Sequence, residues 1–365
     1  MQWLASWLAI PGAWYKPEAA VDQPPLDNQT DFIAHPQLLL DKDGEKLVAM
    51  VKATWVLPPG GDDLELAAEE HQRGLRAAAI PWGLPGESST LFPADFCVRK
   101  PGTDVVLVAR GYAPQSQPVE QFDVSVRVGP VSKVLRVFGL RVWEAAGAGL
   151  SSPRPISELD LRYEHAWGGA EFNDDGQGVE EARNPMGCGV VLDPDSLTHQ
   201  PAPQIEDPFN LISSVSSEPA PAGVGAIQRH WQPRRGYCGS YDEKWLDERA
   251  PLLPSDEDDR VNQVATPDLI ATTPLRGGEA VALAGTMPGG GGVSFSLPQV
   301  AVEIEFQVKD RAPEVFRPHL DTVIIDQLFG VGGAQPTVEL VWRAAIVAPR
   351  RMKDGEVIVR EIRPT

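Results

Sequence analysis

The sequence predicts a mainly β protein with two sandwich-like β-sheet lobes, joined by a long loop-rich insertion that contains a few short helices. The 365 residues include 34 Gly and 35 Pro, which favours short strands, turns and irregular connections over helices. Apolar and polar residues alternate in several stretches near both ends of the chain, as in strands with one buried face. At this length the chain can build roughly two cores of ordinary size.

These patterns divide the chain into four segments: a variable N-terminal segment (1–37), an N-terminal β domain (38–150), a loop-rich region with many aromatic, Gly and Pro residues (151–275), and a C-terminal β-strand region that packs on the first lobe (276–365). In the first β domain, the DKDG turn at 41–44 is followed by an apolar run rich in β-forming residues, which indicates the start of a strand-built domain. Residues 122–143 alternate, turn at Gly129 and Pro130, and return as a second strand. Residues 122–143 are therefore predicted to form a hairpin.

The alternation of apolar and polar residues that predicts strands is weak after residue 150 and resumes near residue 277. The tract 288–292, PGGGG, predicts a hairpin loop, and residues 300–308 alternate with Val302 and Ile304 on one face. DTVIID and TVELVWRAAIVAP predict two further strands. Between the two strand-rich regions, DEKWLDER (242–249) is the best helix candidate, because its charges suit intrahelical pairs and Pro251 follows.

The formal net charge of −19 argues against nucleic-acid binding, which depends on cations that replace the counterions of phosphates. The same charge would attract a basic partner surface. Three widely spaced cysteines form neither a disulfide framework nor a metal knuckle, which favours a reducing cytoplasm. We expect no cofactor and no metal, since the six His show no ligand spacing.

The opening MQWLASWLAIPGAW is apolar but lacks a basic region, and it is too short to span a membrane. We therefore expect neither an export signal nor membrane insertion. Trp3 and Trp7 lie four residues apart, which would place them on one face of a short helix. Docking of this helix on the protein's own core is favoured over a role in anchoring a partner.

LRYEHAWGG (161–169) contains the pair that most resembles an active site, Glu164 and His165. Adjacent residues in an extended segment point to opposite sides, so the two side chains would rarely converge on one substrate atom. We expect Glu164 to pair instead with an arginine such as Arg162 or Arg183 and to hold a loop in place.

RNPMGCG (183–189) places Cys188 between two glycines, the only thiol in a setting that suggests reactivity. A small residue in a tight loop is the favoured interpretation. The acidic PSDEDD (254–259) lacks the spacing of a calcium loop, and a solvated charged loop is expected.

WQPRRGYCGSYDEKWLDERAPLLPSD (231–256) interleaves aromatic residues with arginines and carboxylates. Such a mixture suits a buried network, and it equally suits an interface hot spot. The candidate partner-binding residues are Trp231, Arg234, Tyr241, Trp245 and Arg249.

From about residue 38 to the end, the chain resembles the domain-of-unknown-function family numbered 2169, which is found beside type VI secretion genes in bacteria. The resemblance rests on the order of several motifs, among them LDKDGEKLVAMVKATWVL, VRVGPVSKVLRVFGLRVW, LRYEHAWGG, RNPMGCG, the 231–256 segment, LDTVIID and VELVWRA. The motif residues expected to form the scaffold are Tyr163, Glu164, Trp167, Gly168, Gly169, Asn184, Pro185, Gly187 and Gly189.

The resemblance implies an adaptor or chaperone without catalytic residues. Such a protein would bind an effector with a PAAR or PAAR-like domain in the cytoplasm and help to load it onto the VgrG spike. The alternative is a carbohydrate-active enzyme or lectin on a β scaffold. Its carboxylates would be Glu164 and Asp207, with Trp167 or Trp231 as a sugar platform.

Overall fold

Strands dominate the computed structural model, which describes residues 24–57, 63–144, 149–328, 335–351 and 354–363. The predicted terminal helix with Trp3 and Trp7 lies outside these residues. Up to residue 138 the strands are β1 (Leu26–Asn28), β2 (Ile33–Asp41), β3 (Gly44–Val56), β4 (Glu65–Leu66), β5 (Ile80–Pro81), β6 (Thr90–Phe92), β7 (Thr103–Tyr112), β8 (Gln121–Val128) and β9 (Val131–Phe138).

The middle of the chain contains short strands, β10 (Glu158–Asp160), β11 (Trp167–Gly168), β12 (Ala170–Phe172), β13 (Gly178–Glu180), β14 (Cys188–Gly189), β15 (Ile205–Glu206) and β16 (Ile270–Ala271), and the α-helix α1 (Glu243–Glu248). The last strands are β17 (Ala280–Met287), β18 (Gly291–Ser296), β19 (Ala301–Val308), β20 (Glu314–Phe316), β21 (Leu320–Gln327), β22 (Thr337–Val347) and β23 (Gly355–Ile362). The mainly β class predicted from the sequence is confirmed.

Short 3₁₀ turns connect many of these strands, at Glu69–His71, Pro114–Ser116, Tyr163–His165, Pro194–Leu197, Arg234–Tyr237, Asp259–Asn262 and Pro267–Leu269. The predicted helix over 242–249 is confirmed as α1, and the Asp242 side chain caps it by accepting a hydrogen bond from the Trp245 amide. Among the described residues, no helix has the length and apolar character that crossing a bilayer requires.

The described residues contain three large sheets. An eight-stranded sheet has the order β10-β7-β21-β22-β3-β2, with β16 on β7 and β4 on β3, and a five-stranded sheet has the order β15-β9-β8-β17-β18. A four-stranded sheet has the order β1-β23-β19-β20. The predicted turn at 41–44 joins β2 to β3, and the predicted hairpin that turns at Gly129 and Pro130 is formed by β8 and β9.

Strands from residues 38–150 and from residues 276–365 share the two largest sheets. In the eight-stranded sheet β7 runs parallel to β21, and β3 pairs with β22. In the five-stranded sheet β8 pairs with β17. One apolar core takes residues from all three large sheets, and Val302, Ile304 and Phe306 of β19 point into it as their alternation predicts. Early and late segments of the chain therefore fold together.

The opposite face of the eight-stranded sheet carries a buried charge network of Lys52, Arg73, Arg76, Asp95, Asp326 and Glu339. The segment before β7 covers this face and contributes Arg73, Arg76 and Asp95. Lys52 Nζ lies 2.7 Å from Glu339 Oε2 and 2.9 Å from Asp95 Oδ2. Three cations face three carboxylates, so the network is balanced in charge.

Candidate functional site

The side chain of Asn184 holds the LRYEHAWGG and RNPMGCG segments together. Asn184 is fully buried, and its Nδ2 donates hydrogen bonds to the carbonyl oxygens of Tyr163, at 2.9 Å, and of Trp167, at 3.0 Å. The Asn184 carbonyl accepts from the Gly169 amide at 2.8 Å. A parallel pair of short strands, β11 and β14, continues this contact. The two motifs therefore form one unit, joined mainly by backbone groups.

Two glycines allow this close approach. Gly168 has φ +151°, and a Cβ added there would lie 2.2 Å from the Asn184 carbonyl oxygen. A Cβ at Gly187 would lie 2.4 Å from Asn184 Nδ2. Neither position has room for a side chain. Pro185 follows Asn184 in a turn closed by the hydrogen bond from the Gly187 amide to the Asn184 carbonyl, a position that proline favours.

The carboxylate of Glu164 bonds within the chain through both oxygens. Oε1 accepts from the Ser89 amide at 2.8 Å, Oε2 accepts from the Ser89 hydroxyl at 2.6 Å, and Arg162 Nε lies 3.4 Å from Oε2. The expected arginine partner is therefore Arg162. Arg183 instead forms a bidentate pair with Glu181. Sequence reasoning missed Ser89, because no local pattern links residues so far apart.

The remaining residues that were candidates for chemistry are His165, Cys188 and Asp207. Burial lowers the pKa of His165, with a further contribution from the charge of Arg162, and burial raises the pKa of the Cys188 thiol to about 11. A raised pKa favours the protonated thiol over the more reactive thiolate. Asp207 accepts a hydrogen bond from the Phe209 amide at 2.9 Å.

The acidic loop 254–259 is tied to its surroundings. Asp256 accepts hydrogen bonds from the amide and the hydroxyl of Ser240, and Glu257 pairs with Arg229 at 2.9 Å. Within the described ranges, no three His, Cys, Asp or Glu side chains are grouped so that they could hold a metal ion.

Of the candidate partner-binding residues, Trp231 is buried completely. Its ring meets the ring of Tyr163 edge to face, with centroids 5.3 Å apart, and Ile227 and Met186 complete the cluster. Burial raises the pKa of the Tyr163 hydroxyl, which donates to the Gly225 carbonyl at 3.5 Å. Trp231 has no exposed surface to offer a partner, so we correct its predicted role to that of a core residue beneath the motif unit.

The side chain of Arg234 also bonds within the protein. Its guanidinium donates to the carbonyl oxygens of Ile227, at 2.6 Å, and of Val261, at 2.9 Å. Burial lowers its pKa to about 10. Arg234 thus ties two loops together.

The remaining candidates lie on and beside α1, at the protein surface. Tyr241 is 48% exposed and meets Trp245 edge to face at 4.7 Å. Trp245 is half-buried and donates from Nε1 to the Leu252 carbonyl at 2.8 Å. Arg249 donates to the carbonyl oxygens of Leu253 and Lys42, and so attaches α1 to the β2–β3 turn. The 231–256 segment therefore combines a buried network with an exposed face.

Leu246 and Leu252, which sequence reasoning did not single out, are 62% and 38% exposed. We call Tyr241, Trp245, Leu246 and Leu252 the α1 surface. Exposed carboxylates of Asp242, Glu243, Asp247 and Glu248 lie on the same short helix and its cap. An exposed apolar patch with a polar rim is typical of protein-binding sites. The sequence did contain an indication of Leu246: in the predicted helix DEKWLDER it stands among charged residues.

The fold and these contacts define a mainly β protein with a glycine-rich motif unit and, on α1, a small aromatic and aliphatic surface. The chain belongs to a bacterial family whose model, described as "Uncharacterized protein conserved in bacteria (DUF2169)", matches residues 42–343. Searches of curated proteins and of solved structures found no match.

Proposed function

We propose that this protein is a type VI secretion adaptor and chaperone. It binds an effector with a PAAR or PAAR-like domain in the bacterial cytoplasm and helps to load it onto the VgrG spike. The motif resemblance supplies the class of partner, and membership of the family is consistent with it. The observation that carries the proposal is the α1 surface, where large aromatic and aliphatic side chains are exposed on and beside one short helix.

Charge complementarity indicates the kind of effector surface that the patch accepts. The segment 242–259 contains eight carboxylates, of which three pair with arginines outside the segment: Glu257 with Arg229, Asp258 with Arg260, and Asp259 with Arg99. The other five, at residues 242, 243, 247, 248 and 256, exceed the two cations of the segment, Lys244 and Arg249. A basic segment with apolar side chains would be attracted over long range and could bury Leu246 and Trp245 on contact. Arg and aromatic residues on that segment would match the composition of interface hot spots.

The mechanism is shielding. The adaptor covers apolar surface of the effector's N-terminal region and stabilises the folded effector by mass action until it docks on the spike. The test is to express the effector with and without this protein and to measure its soluble yield. A higher yield with the adaptor is expected, and equal yields would refute the chaperone role.

Replacing Leu246 by Asp is expected to weaken effector binding roughly 30-fold, the loss typical of a hot-spot residue at an interface centre. Binding would bury the new carboxylate against the apolar side chains of the partner segment, which is costly. The affinity of the purified effector can be measured by titration calorimetry.

The matched control is Leu192→Asp, which introduces the same charge at another exposed leucine, 42% exposed, on the loop after β14. Its affinity should equal that of the unmodified protein. Equal losses in both variants would mean that added negative charge, not the α1 surface, is responsible.

A further inference from the structure

A cavity of about 360 Å³ opens between the segment that contains β5 and β6 and the loop that leads to Trp231. This volume is at the lower end of the range for small-ligand pockets. Pro81, Pro93 and Phe96 line one side, and Ile227 lines the other together with Arg229 and Arg234. The cavity therefore has apolar walls and two cationic side chains.

The charge of this cavity is opposite to that of the whole protein. The chain carries a net charge of −19, but no Asp or Glu is among the described residues that line the cavity. Arg229 pairs with Glu257, which lies outside the lining, at 2.9 Å. Two arginines less one paired carboxylate leave about one positive charge without a direct ion-pair partner. The cavity is thus suited to a ligand with a single negative charge.

Arg234 carries that charge. Two backbone carbonyls fix its guanidinium, and none of the ion pairs of the described residues includes it, although the charge of Asp104 acts on it from farther away. Burying a cation without a counterion is costly, and a guanidinium that is already held in place loses little entropy when it binds an anion. Arginine pairs with carboxylates through parallel hydrogen bonds.

We propose that this cavity binds the carboxylate of an apolar peptide C-terminus, with the charge at Arg229 and Arg234 and the apolar side chain against the proline-lined wall. A phosphate dianion would bring more negative charge than the cavity can balance. The cavity lining and the α1 surface share no side chain, so binding at the cavity does not depend on the adaptor role.

The probes are fluorescein-labelled tetrapeptides that end in Leu, Ile, Phe or Trp, each prepared with a free C-terminal carboxylate and as the C-terminal amide. Fluorescence anisotropy at low salt measures binding to the full-length protein. At least one free carboxylate is expected to bind, and its amide should bind at least about tenfold more weakly, because a hydrogen-bonded charge is lost. Failure of every free carboxylate to bind, or equal binding of the amides, would overturn the proposal.

Arg229→Gln is the first variant, since Arg229 is half exposed and its loss leaves the bonds of Arg234 intact. We expect roughly tenfold weaker binding. Arg260→Gln is the matched control: Arg260 is 53% exposed against 52% for Arg229, also pairs with a carboxylate, and is not part of the cavity lining. Equal affinities of the two variants would contradict the assignment.

The second variant leaves Arg234 unchanged, because substituting Arg234 would remove two internal hydrogen bonds. Ala79 is exposed and lines the cavity, so Ala79→Glu places a competing carboxylate there without disturbing the core. It should abolish binding of the free carboxylates while the thermal midpoint stays unchanged. Undiminished binding would overturn the proposal, as would displacement of the peptide by inorganic phosphate more readily than by acetate.

Discussion

Glutamine in place of Glu339 is expected to lower the free energy of unfolding by about 3–5 kcal/mol, the usual cost of breaking a buried ion pair from one side. Glu339 is fully buried. Its carboxylate accepts hydrogen bonds from Arg76 at 2.7 and 2.6 Å and lies 2.7 Å from Lys52 Nζ. Glutamine cannot neutralise these cations, so one positive charge of the network would stay buried and unpaired. A urea titration followed by tryptophan fluorescence measures the loss.

The control is Glu305→Gln, the same substitution on β19. Glu305 also accepts a hydrogen bond from an arginine, Arg360 at 2.7 Å, but it points away from the core. We expect little change, because ion pairs at the surface contribute little to stability. Similar losses at both positions would show that burial of the network is not what makes Glu339 important.

The same network predicts how the free energy of unfolding changes with pH. Burial opposes ionisation of Glu339, but the hydrogen bonds and charges of Arg76 and Lys52 outweigh it and lower its pKa from 4.5 to about 2. The unfolded state therefore takes up the proton first as the pH falls. The contribution of Glu339, on the order of 3 kcal/mol, is complete above pH 4.5 and disappears as the pH approaches about 2. Urea midpoints across this window should fall more steeply for the unmodified protein than for Glu339→Gln.

Replacing Trp231 by Ala is expected to cost about 3–5 kcal/mol of stability, as for other large core side chains. The indole is completely buried, and it packs on Tyr163, whose carbonyl accepts a hydrogen bond from Asn184. A cavity beneath Tyr163 would loosen both motifs. The thermal midpoint and the urea midpoint should both fall.

Trp245→Ala provides the contrast. This tryptophan is half-buried on α1, outside the buried cluster of Tyr163 and Trp231. Its loss should weaken effector binding while leaving most of the stability in place. If Trp245→Ala unfolded the protein and Trp231→Ala did not, the assignment of core and surface within the 231–256 segment would be reversed.

Local patterns predicted the parts of the fold that depend on neighbouring residues. The hairpin of β8 and β9, the alternation in β19 and the helix α1 all follow from spacings within about twenty residues. The buried charge network does not, because Lys52 and Glu339 sit in apolar runs of β3 and β22 and meet only when those distant strands pair. The parallel pairing of β1 with β23 also depends on long-range topology.

In the candidate site, too, contacts between distant residues could not be predicted from local patterns. The glycines and Asn184 of the two motifs could be recognised, since only a glycine fits where backbones touch. Trp231 and Trp245 could not be told apart, because buried networks and interfaces use the same residue types. Their roles depend on what lies above each ring: Tyr163 covers Trp231, whereas α1 leaves Tyr241 and Leu246 beside Trp245 exposed to solvent.

The most direct test of the proposed adaptor role is to recover the tagged protein from a lysate of its own bacterium and to identify the proteins bound to it. The unmodified protein and Leu192→Asp should both retain an effector with a PAAR or PAAR-like domain, and Leu246→Asp should lose it. Recovery of no such effector, or equal recovery by Leu246→Asp, would contradict the account.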